Sequence, residues 1–461
     1  MKGVSMLKLA LLGGVAVRKK PFSSPVIIDG KERRNVNAVL KNKELSRFMG
    51  SPTKDIDKLL IMDSFKAQGY KGQYFSFLGG RMVRKFEADF ARKFKIKYAI
   101  CVNSATSGLS TALGALGIGP GDEVITTCLS FNATALSILL FNSIPVFVDV
   151  DPKNFCLDPE LVERAITKKT KAILVVHLLG NSADMDSIMR LAKKYRLKVI
   201  EDCAQAPGTK YKDKFVGSIG DLGVFSFQET KNMTTGEGGM IITNNAEFAK
   251  RARLIRNHGE SVPDISWDDD SLVNLVGMNF RMTELTAALG VAQLEKLDRN
   301  NHSRVRNYQY LYDGLSSIPG LRVLELKKGA IPHIVPMLYD QQKTGVERNK
   351  ILAALKAEGI PVGSGYVRTM YENPIFLRKI AYGKDHCPWS CHLYNAKREY
   401  KQGDCPVAEN LIKEKFIWFY HLNRPNTIAD MQNVIDAFKK VFANIGQLRN
   451  RDISINLGYK W

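Results

Sequence analysis

Leu197-Lys-Val-Ile-Glu-Asp202-Cys-Ala-Gln205, followed by Leu222-Gly-Val-Phe-Ser226-Phe-Gln-Glu-Thr-Lys231-Asn-Met-Thr-Thr-Gly-Glu-Gly-Gly239, is the stretch from which the fold can be read. Each part is a short apolar run that ends on polar residues able to do chemistry. The same unit recurs on both sides. Strand candidates fall at 98–102, 124–127, 145–149, 172–176, 197–201, 222–227 and 240–243. Amphipathic segments lie between the earlier ones, as at 183–195, where Met185, Ile188, Met189 and Ala192 recur at helical spacing. Near-continuous apolar strands alternating with helices predict a mostly parallel sheet covered on both faces, an α/β architecture. The last two runs are too close together for a helical crossover, so one strand should be antiparallel. The expectation is a mixed sheet of about seven strands.

Beyond 282 the pattern changes. Helices are expected at 282–297, 301–316 and 428–442, with a few strands between them, which reads as a second, smaller α+β domain. The division predicted is an N-terminal arm over 1–50, a large domain over 51–298 and a small C-terminal domain over 299–461. Residues 379–403, rich in polar, aromatic and basic side chains, should form a long surface excursion.

Composition excludes several function classes. The formal net charge is +21, but the basic residues are dispersed and no nucleic-acid signature accompanies them. Seven cysteines, an odd number with several in apolar runs, fit reduced thiols better than a disulfide framework. The opening at 7–17 resembles a short signal-peptide core, yet it lacks a cleavage site and runs into Arg18-Lys-Lys-Pro21. No apolar run reaches the roughly 18 residues that span a bilayer. A cytoplasmic protein is expected, acting on neither nucleic acid nor membrane.

In open α/β sheets ligands gather at the carboxyl ends of strands. Successive strand residues face opposite ways, so only one of Glu201 and Asp202 should face a given site. Asp202 reads either as a helix N-cap or as a carboxylate partner for a cationic ligand nitrogen. Asn103-Ser-Ala105-Thr106-Ser-Gly108 can bind phosphate through free amides at a helix start, or simply cap the helix. Lys231, before a glycine-rich turn, is a hairpin lysine or, if held out of bulk water, a Schiff-base former.

The order and spacing of these segments carry more than any one of them. Glu201–Gly208, Gly217-Ser-Ile-Gly-Asp221 and Phe225–Gly239 closely resemble the sugar aminotransferases of the DegT/DnrJ/EryC1/StrS family. So do Gly117-Ile-Gly-Pro-Gly-Asp-Glu-Val-Ile125, Val176-His-Leu-Leu-Gly180 and Gly277-Met-Asn-Phe-Arg-Met-Thr-Glu-Leu-Thr-Ala-Ala-Leu-Gly290. The likeness covers roughly residues 7–440 and is most specific over 96–300. It extends to the opening Leu9–Gly14, which gives the apparent signal peptide a structural explanation.

The resemblance implies a fold-type-I enzyme of amino-sugar biosynthesis, a homodimer with shared active sites, and pyridoxal 5'-phosphate as cofactor. Lys231 would hold the cofactor as a Schiff base and then move protons. Asp202 would keep the pyridine nitrogen protonated, which makes the ring an electron sink. Gln205 would lie near the phenolic oxygen and Phe131 would stack on the ring. Ala105, Thr106 and Ser226 would contact the phosphate, with Asn279 reaching it from the neighbouring subunit. Alanine stands at 105 where the family usually has glycine, which narrows the backbone but keeps the amide.

Family members that dehydrate or deoxygenate sugars replace the lysine with histidine, so Lys231 favours transamination over a sugar dehydratase. A ping-pong reaction is expected, moving an amine from glutamate or glutamine to a keto-sugar, nucleotide-linked or a keto-cyclitol. A non-catalytic regulator with the same fold is disfavoured by the intact Lys231, Asp202, Gln205 and Ser226. His386-Cys-Pro-Trp-Ser-Cys-His392 mixes metal-ligand types, but its spacing matches no standard zinc site, and no metal is expected. His177 reads as a packing or hydrogen-bonding histidine.

Overall fold

The computed structural model describes residues 8–48, 56–70, 77–259 and 275–451. All seven expected strands form, and they form one sheet. They are β1 (Tyr98–Val102), β2 (Glu123–Thr127), β3 (Ile144–Val148), β4 (Thr170–Val176), β5 (Lys198–Asp202), β6 (Leu222–Ser226) and β7 (Gly239–Thr243), in the spatial order β1-β7-β6-β5-β4-β2-β3. Pairing is parallel from β6 to β3, and β7 runs antiparallel to both neighbours. The single antiparallel member is the one the short β6–β7 connection requires.

The sheet is buried on both faces because its side chains alternate. Ile100, Val102, Val224 and Ile241 point into one core, while Ala99, Cys101, Phe225, Met240 and Ile242 point into the other. The flanking helices used below are α1 (Gly30–Asn42), α2 (Arg81–Phe94), α3 (Ala105–Ala115), α4 (Ala133–Leu140), α5 (Met185–Tyr195), α6 (Ala246–Arg256), α7 (Glu284–Leu315), α8 (Arg348–Ala357) and α9 (Ile428–Ala443). Their ends follow local rules: Asp184 caps α5 by accepting from Ser187 N–H, and Arg196 closes it in the left-handed region.

One expectation fails. The two helices anticipated at 282–297 and 301–316 are a single helix of 32 residues, α7. Asn300, Asn301 and Asn307, which weaken helix propensity in the sequence, are buried, and the Asn301 and Asn307 amides donate to the carbonyls of Pro207 and Leu422. Tertiary hydrogen bonds override local propensity there. The last turns of α7 carry Leu311 and Leu315 into a separate core. That core also contains α8, α9 and a four-stranded antiparallel sheet of β8 (Leu321–Val323), β9 (Val335–Tyr339), β10 (Val362–Gly363) and β11 (Phe416–Phe419), in the order β8-β9-β11-β10. Leu9 is buried in it too, with Leu11, Leu12 and Val17 packed against it.

The excursion at 379–403 lies along β3, the edge strand of the large sheet. Tyr400 Oη donates to Pro145 O at 2.7 Å, and Trp389 Nε1 donates to Tyr400 Oη at 3.0 Å. Tyr394 and Arg398 both reach the Glu123 carboxylate, at 2.7 and 2.8 Å. Glu123 opens β2, so the body of the excursion sits at the amino-terminal ends of the strands, opposite Asp202. Covering a sheet edge removes a template for unwanted pairing. The His386–His392 cluster is not gathered: the two histidines are exposed, and among the described residues no three potential ligands meet there. Cys128, Asp149 and Cys405 do converge elsewhere. The Asp149 carboxylate, however, accepts the amides of Val150, Val407 and Ala408, so it serves as a backbone anchor.

Candidate active site

Strand register assembles the site. Val176 pairs with Asp202, Asp202 with Val224, Ser226 with Gly239, and Val102 with Gly239. The residues that follow β1, β4, β5 and β6 therefore meet at one edge of the sheet. Gly239 is required there: a Cβ on it would lie 2.6 Å from the Ser104 carbonyl carbon and 2.8 Å from the Ala105 nitrogen. No side chain fits between β7 and the start of α3.

Glu201 and Asp202 face opposite sides, as strand geometry demands. Glu201 is wholly buried and structural. Its oxygens accept from the amides of Gly217, Ile219 and Gly220 at 2.7, 2.8 and 2.6 Å, and from His177 Nε2 at 2.9 Å. Ala183 N–H donates to His177 Nδ1, which fixes the tautomer with the proton on Nε2. His177 is thus a hydrogen-bonding residue. Glu201→Ala would strand one buried and two part-buried amides together with the His177 ring, and is expected to destabilise the fold by about 3–5 kcal/mol, measured by denaturant unfolding. A loss below about 1 kcal/mol would show that the network is not needed for stability.

Asp202 closes β5 on the other side. Its Oδ2 accepts from the Thr134 hydroxyl at 3.0 Å and its Oδ1 from Ala204 N–H at 3.0 Å. The local bond closes a turn; no helix follows, so the N-cap reading is replaced by a carboxylate anchored in a turn. Burial pushes the Asp202 pKa up, and the Ala204 amide, the Thr134 hydroxyl and then Lys231 pull it back. Burial also lowers the Lys231 pKa, against the opposing pull of Asp202 and Glu237. The pair is a carboxylate short of countercharge beside a lysine biased toward its neutral amine.

The other expected residues surround this pair unevenly. Gln205 is held at both ends: Oε1 accepts from Leu179 N–H at 2.8 Å, and Nε2 donates to Tyr366 Oη at 3.1 Å. Phe131 is 65% exposed, a large aromatic ring with an open face. Ser226 is buried, and its hydroxyl accepts from Gln228 N–H. Ser104 caps α3 by accepting from Ser107 N–H. Among the described residues, no acceptor is found for the amides of Ala105 and Thr106. The cap does not exclude a phosphate site, since it leaves those two amides without an acceptor. Asn279 is exposed, its backbone bridged to Asn257.

These groups suit pyridoxal phosphate. A buried carboxylate lacking a cation suits a pyridinium nitrogen, an uncovered ring suits a flat heterocycle, and free amides at a helix start suit a phosphate. A lysine whose ammonium form is disfavoured by burial suits a carbonyl. Sequence reasoning missed Thr134 and Tyr366. Thr134 lies inside a stretch already singled out; Tyr366 comes from the C-terminal part and carries no local signal.

Comparison with known proteins agrees. The model of the DegT/DnrJ/EryC1/StrS aminotransferase family matches residues 67–398. An L-glutamine:2-deoxy-scyllo-inosose aminotransferase of Streptoalloteichus tenebrarius is 36% identical over 79% of this chain and 87% of its own. A second protein of that organism, a putative L-glutamine:3-amino-2,3-dideoxy-scyllo-inosose aminotransferase, is 30% identical over 96% of this chain and 99% of its own. Among solved structures, DesI in the presence of its TDP-sugar product superposes with a TM-score of 0.75 at 25% identity, covering 96% of this chain and 99% of that one.

Proposed function

Because the chain belongs to the DegT/DnrJ/EryC1/StrS aminotransferase family and is a pyridoxal-phosphate-dependent aminotransferase, we propose that it moves an amine from glutamine or glutamate to the ring ketone of a sugar-like substrate. The observation that carries this is the buried Asp202 carboxylate at the carboxyl edge of the sheet, with the half-buried Lys231 amine within its electrostatic reach. When bound, the cofactor supplies the electron sink; the remaining work falls to the chain.

Asp202, oriented by Thr134 and Ala204, would hold a positive charge on the ring nitrogen. Lys231 Nζ would be the carbonyl-reactive amine and the base that takes and returns a proton at the substrate carbon. Burial keeps that amine neutral at a lower pH than an exposed lysine would allow. Gln205, fixed at both ends, would have its second amide hydrogen left for the phenolic oxygen. Ala105, Thr106 and Ser226 would receive the phosphate, and Phe131 would cover one ring face. Asn279 would complete the phosphate site of a second subunit. The exposure of Val276 and Met278 beside it supports a partner surface.

For the acceptor, the relatives' names favour a keto-cyclitol, with a nucleotide-linked keto-sugar as the other member of the same chemical class. The test is the absorption spectrum of the protein with pyridoxal phosphate, before and after glutamine. A visible band that bleaches supports the reading. A band resistant to both glutamine and glutamate would turn it toward dehydration, and no band would overturn it.

A further inference from the structure

His333 stands just before β9, on the C-terminal part of the chain, yet its position is set from the active-site side. Its backbone N–H donates to Leu179 O at 3.0 Å, and Leu179 N–H is the group that binds Gln205. The approach is so close that a Cβ on Gly180 would lie 1.9 Å from Ile331 O, which keeps that position a glycine. From the other side, Arg304 of α7 donates to the carbonyls of Pro332 and His333. The segment is therefore clamped between the long helix and the loop that holds Gln205.

The ring points to the residue after Lys231. His333 Nδ1 lies 3.3 Å from Asn232 Oδ1. An amide oxygen can only accept, so Nδ1 carries the proton and Nε2 presents a lone pair. Burial, with Lys231 and Arg304 nearby, drives the His333 pKa well below its ordinary value, which keeps the ring neutral. Among the described residues no hydrogen bond uses Nε2, and His333 retains 8% exposure. Asn232 is buried, and its Nδ2 has no partner. The result is a neutral acceptor on a segment clamped against the Gln205 loop, with its ring within electrostatic reach of Lys231.

We propose that His333 Nε2 accepts a hydrogen bond from a hydroxyl next to the ketone being aminated, and so selects hydroxylated rings in the second half-reaction. A neutral acceptor attracts a hydroxyl donor and offers nothing to a carboxylate or phosphate oxygen. The amino-acid donor has no such hydroxyl, so its half-reaction should not depend on His333. This inference rests on the proposed function and deepens it.

The test separates the two half-reactions. The protein loaded with pyridoxal phosphate is bleached with glutamine, then recoloured with a pentahydroxycyclohexanone or with the same ring lacking the hydroxyls beside the carbonyl. In the parent protein the hydroxylated ring should recolour faster. His333→Phe should bleach at the parental rate but need at least about tenfold more hydroxylated ketone, with little change for the deoxy ring. His333→Gln, which keeps an acceptor, should restore part of the preference and guards against a folding defect in the first variant. Equal dependence of both half-reactions on His333, or a parent protein that does not prefer the hydroxylated ring, overturns the proposal. A parent that never bleaches strikes the proposed function instead.

Discussion

Lys231→Ala is expected to lose turnover by about ten-thousand-fold or more, because one substitution removes both the carbonyl-reactive amine and the proton-transfer base. The visible band formed with pyridoxal phosphate should vanish with it. The fold should survive. Burial lowers the Lys231 pKa, so the native state disfavours the ammonium that the unfolded chain carries. For a lysine with a lowered folded pKa that cost is largest at low pH and fades as pH rises through the unfolded value. At pH 7, removing the amine should therefore leave the melting temperature of the cofactor-free protein unchanged or raise it. Residual turnover within a factor of about ten would end the assigned role, since a general base alone is worth more.

Asp202→Asn is the second large effect. The amide keeps the shape and can still accept from Ala204, while the Thr134 hydroxyl can turn to accept from the new NH2 group. What disappears is the buried negative charge. On the proposed role a bound ring nitrogen would then lose its proton and its electron-withdrawing power, and turnover should fall by about a thousandfold, the scale of losing a preorganised electrostatic partner. Steady-state kinetics, with circular dichroism as a check on folding, measures this directly. Asp202→Glu keeps the charge but misplaces it and should fall in between. Near-parental turnover in Asp202→Asn would mean that the carboxylate only anchors its turn.

Much of the large sheet was legible because its signals are local. Short β-branched runs at regular intervals gave all seven strands, and the short connection before Gly239 gave the antiparallel one. The opposed facing of Glu201 and Asp202 followed from strand period alone. The helix α7 was misread as two because Asn300 and Asn301 look like a break; the buried partner of Asn301, Pro207 O, is 94 residues away. The excursion at 379–403 was recognised as a unit, but its place along β3 depends on Tyr394, Arg398 and Tyr400 meeting Glu123 and Pro145.

The order of elements, the mostly parallel sheet and the chemical types at its strand ends are legible along the chain, since periodicity, turn residues and motif spacing are written in neighbouring positions. Which of those groups become unusual depends on the folded surroundings. Burial shifts the pKa values of Lys231 and Asp202, the free amides of Ala105 and Thr106 depend on what Ser104 leaves unpaired, and His333 gains its tautomer from an asparagine 101 residues away. Desolvation and long-range hydrogen bonds depend on what surrounds a residue in space, and no local pattern encodes that.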